Sequence, residues 1–249
     1  MWINRAIATQ QLRMLRGAGL AMHMPLNYSP DSFEELRNSG GVLSMSQVDR
    51  DKWNQRYRDG AYAERGHPAA FLLDQVPDIL AQQLALKAAD EPLCAADIAC
   101  GAGRNAFYLA GQGYRVDAID VSAEALGRAQ ATRGDHQGDI RWIEHDLDKG
   151  LPADLPAADL MVIIRYLDLE MVSAALQQLR PGGYLLCEVH LATDQVVAGP
   201  SGPAFRALPG ELQSKAAGLE IISYWEGVTR DPDQALVALA RLVARRSAQ

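Results

Sequence analysis

From residue 93 onward the chain alternates short apolar runs with segments of helical periodicity. Residues 93–100, 114–121, 140–145, 160–165 and 184–190 are apolar runs of strand length. Between them, residues 105–112, 123–133 and 170–179 carry apolar positions at helical spacing. The punctuation agrees. Gly113 stops the first of these helices, Ser122 stands at the N-cap of the second with Gly134 beyond its end, and Pro181-Gly182-Gly183 closes the third. Alternation of this kind predicts a doubly wound α/β fold, a parallel sheet with helices on both faces. The tail departs from it. Residues 219–228 read as a strand, while 234–246 are ambiguous, rich in the Ala and Leu of a helix and without strict alternation. Only 229–233 separate the two, too few for a parallel crossover. The expectation is therefore a second strand and an antiparallel C-terminal hairpin.

Upstream, residues 48–57 read as a helix with Trp53 and Tyr57 four apart, hence on one face. Residues 61–68 read as a loop, and 69–89 as a long helix that Pro77 kinks or divides. Residues 1–45 are set apart as an extension outside the core, packing on it or on a second subunit. They hold scattered arginines, a short capped helix over 31–37 and a break at Gly40-Gly41, without the apolar stretch of a secretory signal. Met45 would also serve as a start. Residues 46–249 form the working domain.

Composition narrows the function classes. The 249-residue chain is 48% hydrophobic and 22% charged, as in a water-soluble globular protein. A net charge of −7 argues against a nucleic-acid partner. Its three cysteines, Cys94, Cys100 and Cys187, lack metal-site spacing and fit a reducing, cytoplasmic setting; no metal is expected. No apolar run approaches the roughly 20 residues that span a bilayer.

The chemistry gathers at Ala95-Ala96-Asp97-Ile98-Ala99-Cys100-Gly101-Ala102-Gly103-Arg104-Asn105. A strand runs into two glycines and a helix start, where backbone approaches a ligand closely and N–H groups are free. Gly101, Gly103 and Ala106 match G-x-G-x-x-G/A, a weak signal by itself. Asp120, at the end of the next strand, is placed to accept hydrogen bonds from a ribose. Two cofactors use this plan, a dinucleotide and S-adenosyl-L-methionine. Asp97 favours the second. A carboxylate in an apolar strand is costly unless paired; beneath the turn it would repel a pyrophosphate and attract an ammonium.

This stretch resembles the first motif of class I S-adenosylmethionine-dependent methyltransferases, and the likeness covers about residues 48–246. Asp120, followed by Val121, stands at the family's ribose-binding acid. Asp146-Leu147 stands at its adenine contacts, and Leu179-Arg180-Pro181-Gly182-Gly183 resembles the turn before its fifth strand. The resemblance implies a seven-stranded, mostly parallel, Rossmann-like sheet. It also implies cofactor contacts at Asp97, Cys100, Gly101, Gly103, Arg104 and Asn105. Within the family the chain is most similar to the small-molecule methyltransferases of the tellurite-resistance and thiopurine-methylating groups. Trp53-Asn54-Gln55-Arg56-Tyr57 resembles their N-terminal lid, and residues 203–212 their segment before the sixth strand.

The implied reaction is methyl transfer to a small molecule such as a thiol or a chalcogen oxyanion, by a monomer or homodimer. An acceptor that is already anionic needs no general base. No catalytic residue is assigned. Arg165 and Tyr166, ending the fourth strand, lie where such folds hold substrates, and Arg165 suits an anion. His190 ends the fifth strand, either as a proton acceptor or as an imidazole satisfied by neighbours. Two alternatives remain: a non-catalytic S-adenosylmethionine-binding module, and an NAD-dependent oxidoreductase, for which no hydride-handling site is found.

Overall fold

Strand β4 (Ala158–Ile164) is buried at all of its positions, which requires cover on both faces of the sheet. The computed structural model describes residues 47–63, 65–87, 91–132 and 138–247. The extension over 1–45 and its expected helix lie outside them.

The sheet has seven strands, ordered β3-β2-β1-β4-β5-β7-β6. These are β1 (Cys94–Ile98), β2 (Arg115–Asp120), β3 (Ile140–Glu144), β4, β5 (Leu179–His190), β6 (Glu220–Arg230) and β7 (Leu236–Arg245). The first five run parallel; β7 pairs antiparallel with both β5 and β6. The ambiguous tail is thus a strand and the hairpin exists. Its Ala and Leu do not make a helix because β7 is slotted between two strands, and burial on both faces overrides propensity.

The described α-helices are α1 (Gln47–Arg58), α2 (Ala70–Leu86), α3 (Arg104–Gly111), α4 (Ala123–Thr132), α5 (Leu169–Gln178) and α6 (Glu211–Lys215). β4 alternates between two cores. Leu160, Val162 and Ile164 pack with Leu72 and Val76 of α2 and Leu109 of α3. Met161 and Ile163 pack with Val172 and Ala175 of α5. Ser122 caps α4 as its sequence indicates, its hydroxyl accepting from the Ala125 N–H at 3.1 Å.

Local details add to the sequence reading. α2 is a single helix through Pro77, so the proline does not divide it; Pro77 sits on the exposed side with Leu73, the residue whose carbonyl loses its partner. Pro181-Gly182-Gly183 lies inside β5 as an irregularity: partners along β4 skip from Leu179 to Tyr184. Only glycine fits at 183, where a Cβ would meet three carbonyl oxygens at 2.9–3.1 Å. α6 is an element that the sequence reading does not mark; it buries Leu212 completely.

The chain order reverses between β1 and β4, so a crevice opens beyond their carboxyl ends. The opposite edge is a closed scaffold. There Asp159 accepts from Cys94 N (2.7 Å), Lys87 Nζ (2.9 Å) and Arg180 (3.1 Å), while its carbonyl holds Gln83, which in turn accepts from Tyr114. Asp159→Ala is expected to cost about 1–3 kcal/mol in denaturant unfolding, by leaving the Cys94 N–H without its acceptor and Lys87 and Arg180 with only Glu91 as a carboxylate partner. Ligand affinity at the far edge, several residues along the strands, is expected to stay unchanged.

Candidate functional site

At the carboxyl end of β1 the backbone makes a left-handed turn. Ala99, Gly101 and Gly103 have φ of 55°, 58° and 80°. The Cys100 N–H bonds to the Ile119 carbonyl, and the Gly101 N–H to Asp120 Oδ2 at 2.8 Å. Asp120 Oδ1 accepts from the Ser122 N–H at 2.8 Å, so one carboxylate ties the turn to the end of β2. Both glycines are required by space. A Cβ on Gly101 would lie 2.5 Å from the Tyr57 hydroxyl, and one on Gly103 would lie 2.4 Å from the Trp142 ring. α3 then begins without a side-chain cap at Gly103.

Beneath this turn sits Asp97, 1% exposed. The Ala106 N–H donates to its carboxylate, yet Oδ2 has no partner among the described residues. Burial pushes its pKa up to about 7, with Asp120 adding to the shift and Arg104 opposing it. Asp120 is also raised, by burial, against the backbone N–H groups that hold it. The edge therefore holds two desolvated carboxyl groups that ionise less readily than exposed ones.

α1 roofs it. Asn54 Oδ1 accepts from the Ser122 hydroxyl and the Glu124 N–H, and Arg58 pairs with Glu124. Arg128 of α4 donates to the Tyr57 and Ala61 carbonyls and lies 5.3 Å from the Tyr57 ring. At the other flank Lys52 stands over the Phe205 ring at 5.8 Å. The helix thus reaches from α4 to the β5–β6 connection. Tyr57 is the residue it brings onto the glycine turn, buried near Asp120 and Cys100, with its hydroxyl pKa raised by burial. Trp53 is half-buried and packs with Arg56 instead.

The remaining expected residues divide. Val121 and Leu147 are core side chains beside the crevice. Asp146 caps a short 3-10 turn (Leu147–Lys149) and pairs with Lys149. Tyr166 carries the electrostatic influence of both Asp146 and Asp120, so it lies on that flank. Cys100 is buried and its thiol pKa raised by burial, which keeps it protonated. The Asn105 carboxamide is turned to the Ala69 N–H, anchoring the start of α2. Arg165, at φ 63°, points to the other flank, bonding Glu188 at 2.7 Å and Asp231 at 2.6 Å. His190 is not a satisfied imidazole: its buried Nδ1 lacks a partner among the described residues. Burial, then Arg165 and Arg206, lowers its pKa to about 3, so the ring is neutral.

Sequence reasoning misses Glu188, 1% exposed between Arg165 and Arg241. Its signal is the one that exposes Asp97, a lone acid in an apolar strand. Among the described residues no cluster could hold a metal ion, and no helix is long and apolar enough to cross a membrane.

The crevice, the acid under a glycine turn and the second acid on β2 can be set against known proteins. Residues 95–183 match the family model described as a methyltransferase domain. The matched segment is a little over a third of the chain. Its fold is shared with magnesium protoporphyrin IX methyltransferase (ChlM) from Synechocystis PCC 6803 with bound SAH (TM-score 0.58, 18% identity, 81% of this chain and 99% of that one). It is shared with TehB from Haemophilus influenzae (TM-score 0.53, 22% identity, 69% of this chain), of whose length the chain spans 62%. The [4+2]-cyclase SpnF has it too (TM-score 0.51, 18% identity, 71% and 81%). A search of curated proteins finds no match. S-adenosyl-L-methionine is the cofactor of class I methyltransferase domains, and this site's own chemistry fits it: an orphaned, desolvated carboxylate for an ammonium, beside a turn with no room for a Cβ at either glycine.

The Asp97 shift has a measurable sign. Its carboxyl titrates at 3.8 in the open chain and about 7 in the ligand-free fold, so folding takes up a proton between those values. Its contribution is favourable below about pH 4 and is lost as pH rises through about 7, on the order of 4 kcal/mol at most. Unfolding of the ligand-free protein is expected to show this decline from about pH 4 to about pH 8, with a shallower slope in Asp97→Asn. An equal slope in both proteins would place the titrating group elsewhere.

Proposed function

We propose that the chain binds S-adenosyl-L-methionine over the carboxyl ends of β1 and β2 and transfers its methyl group to a small-molecule acceptor. The observation that carries this reading is Asp97, a buried carboxylate whose Oδ2 has no partner in a strand otherwise built for an apolar sheet. An ammonium meets that need; a pyrophosphate would worsen it, which disfavours a dinucleotide. Asp120 retains lone pairs for ribose hydroxyls while it holds Gly101 and Ser122. Asp146 and Leu147 flank the adenine side, and Tyr57 covers the turn.

When bound, this cofactor supplies an electrophilic methyl group on a sulfonium. The chain's part is placement and exclusion of water: α1 closes over the glycine turn, and the acceptor enters beyond β4 and β5. A thiol or a chalcogen oxyanion suits such a site, because neither requires a strong general base. A neutral His190, with Nδ1 free, is the nearest candidate to receive a proton from an acceptor that carries one. The alternative of a protein that binds the cofactor without transferring its methyl group is kept because a cyclase shares the fold.

Calorimetric titration with S-adenosylmethionine, S-adenosylhomocysteine and NAD tests the binding. The first two are expected to bind and NAD not to. Asp97→Asn is expected to weaken S-adenosylhomocysteine by about 1.5–3 kcal/mol, the value of a hydrogen bond to a charged group. Unchanged affinity would make the acid structural, and binding of NAD alone would overturn the reading. Release of S-adenosylhomocysteine across a panel of thiols, selenite and tellurite separates an enzyme from a binding module.

A further inference from the structure

Beside the glycine turn, away from β2, lies a narrow recess that encloses about 20 Å3, room for about one water, and opens to solvent at its mouth. Arg165 after β4, Glu188 near the end of β5 and its register partner Arg241 midway along β7 form its floor, residues between 65 and 70 and the β6–β7 turn its walls, and Arg104 its border with the cofactor crevice. Five guanidinium groups line it, those of Arg65, Arg104, Arg165, Arg230 and Arg241. Three carboxylates face them. Glu188 bridges Arg165 and Arg241, each at 2.7 Å, and Asp231 takes the other side of Arg165 at 2.6 Å. Asp233 pairs with Arg65 at 2.7 Å.

Arg104 and Arg230 are left without a carboxylate among the described residues; Arg230 donates to the Gln234 carbonyl at 2.9 Å, and Arg104 faces inward. The hydrogen bond of Arg104 goes to the His67 carbonyl at 3.3 Å, and it forms no ion pair among the described residues. Burial lowers its pKa, and the charges of Arg165 and Arg65 lower it further, so the cation is held against its own electrostatics. Asp97 offsets this in part, and an ammonium bound at Asp97 would remove that offset.

We propose that this recess receives an oxyanion, a carboxylate or a phosphate group carried by the methyl acceptor, between Arg104, Arg65 and Arg165. The inference rests on the methyl-transfer reading for what enters the recess, and on the geometry for its charge. The cofactor's own carboxylate is the competing occupant. It shares a carbon with the amine at Asp97 and so reaches toward Arg104, whereas Glu188 on β5 and Arg241 on β7 lie two and three strands from β1, about 10 and 14 Å away at the usual spacing. The cofactor carboxylate does not fill the far part of the recess, and an anion that binds on top of the cofactor product separates the two occupants. Arg165, in a left-handed backbone conformation at the end of β4, shows that the floor is built at a conformational cost.

The test uses the full chain, first titrated with S-adenosylhomocysteine and then, in its presence and at constant ionic strength, with inorganic phosphate or malonate. Phosphate or malonate is expected to bind on top of S-adenosylhomocysteine, the stronger of the two identifying the tetrahedral or the planar anion. Arg104→Gln should weaken that anion about tenfold, the loss of a charged hydrogen bond. Asp233→Asn, which frees Arg65, should tighten it, a gain that misfolding cannot produce. Absence of binding by both anions, competition with S-adenosylhomocysteine, or no gain in Asp233→Asn would overturn the proposal. If S-adenosylhomocysteine itself fails to bind, the methyl-transfer reading falls, and the anion titration of the free protein still decides the recess.

Discussion

The site depends on one unfavourable fact, a carboxylate buried in an apolar strand with an oxygen left unpaired. Burying Asp97 is tolerated because the surrounding sheet is held independently by the two cores that meet at β4. The local arrangement follows from where that carboxylate lies. It stands at the point where β1 feeds β2 on one side and β4 continues the sheet on the other, so the crevice opens above it. Glycines at 101 and 103 let the backbone pass closely over it, and Asp120 clamps the turn from the neighbouring strand.

The two edges of the sheet are finished differently. At the amino ends of the strands Asp159 takes three donors and the Gln83–Tyr114 pair is satisfied, as a stabilising edge should be. At the carboxyl ends Asp97 Oδ2 and His190 Nδ1 have no partner among the described residues, and Arg104 has a carbonyl but no carboxylate. Left-handed backbone at Ala99 and Arg165 falls at this edge too. Strain and unmet polarity in one place mark where the fold gives up stability for binding.

Much of this was legible in the chain. The Asp97–Asn105 stretch, the Ser122 cap and the strand alternation are local signals, and the structure keeps each of them. The hairpin was legible through connection length, since five residues cannot carry a parallel crossover. Glu188 carried the same signal as Asp97 and was readable in principle. What could not be read is pairing across the chain. Arg65 and Asp233 are 168 residues apart and Arg165 and Asp231 are 66 apart, so the recess exists only once β7 has docked beside β5. The turning of Asn105 toward Ala69 is likewise a product of packing, as is the fit of Trp142 under Gly103.

The central claim is that Asp97 meets a cationic amine. Its most direct test is the proton count of binding: calorimetric titration with S-adenosylhomocysteine at about pH 6, in two buffers of different ionisation enthalpy. With its carboxyl at about 7 before binding, Asp97 is mostly protonated there. An ammonium seated against it must displace that proton. The account predicts release of close to one proton per molecule bound, and little release in Asp97→Asn. Binding without proton release, or the same release from both proteins, would contradict it.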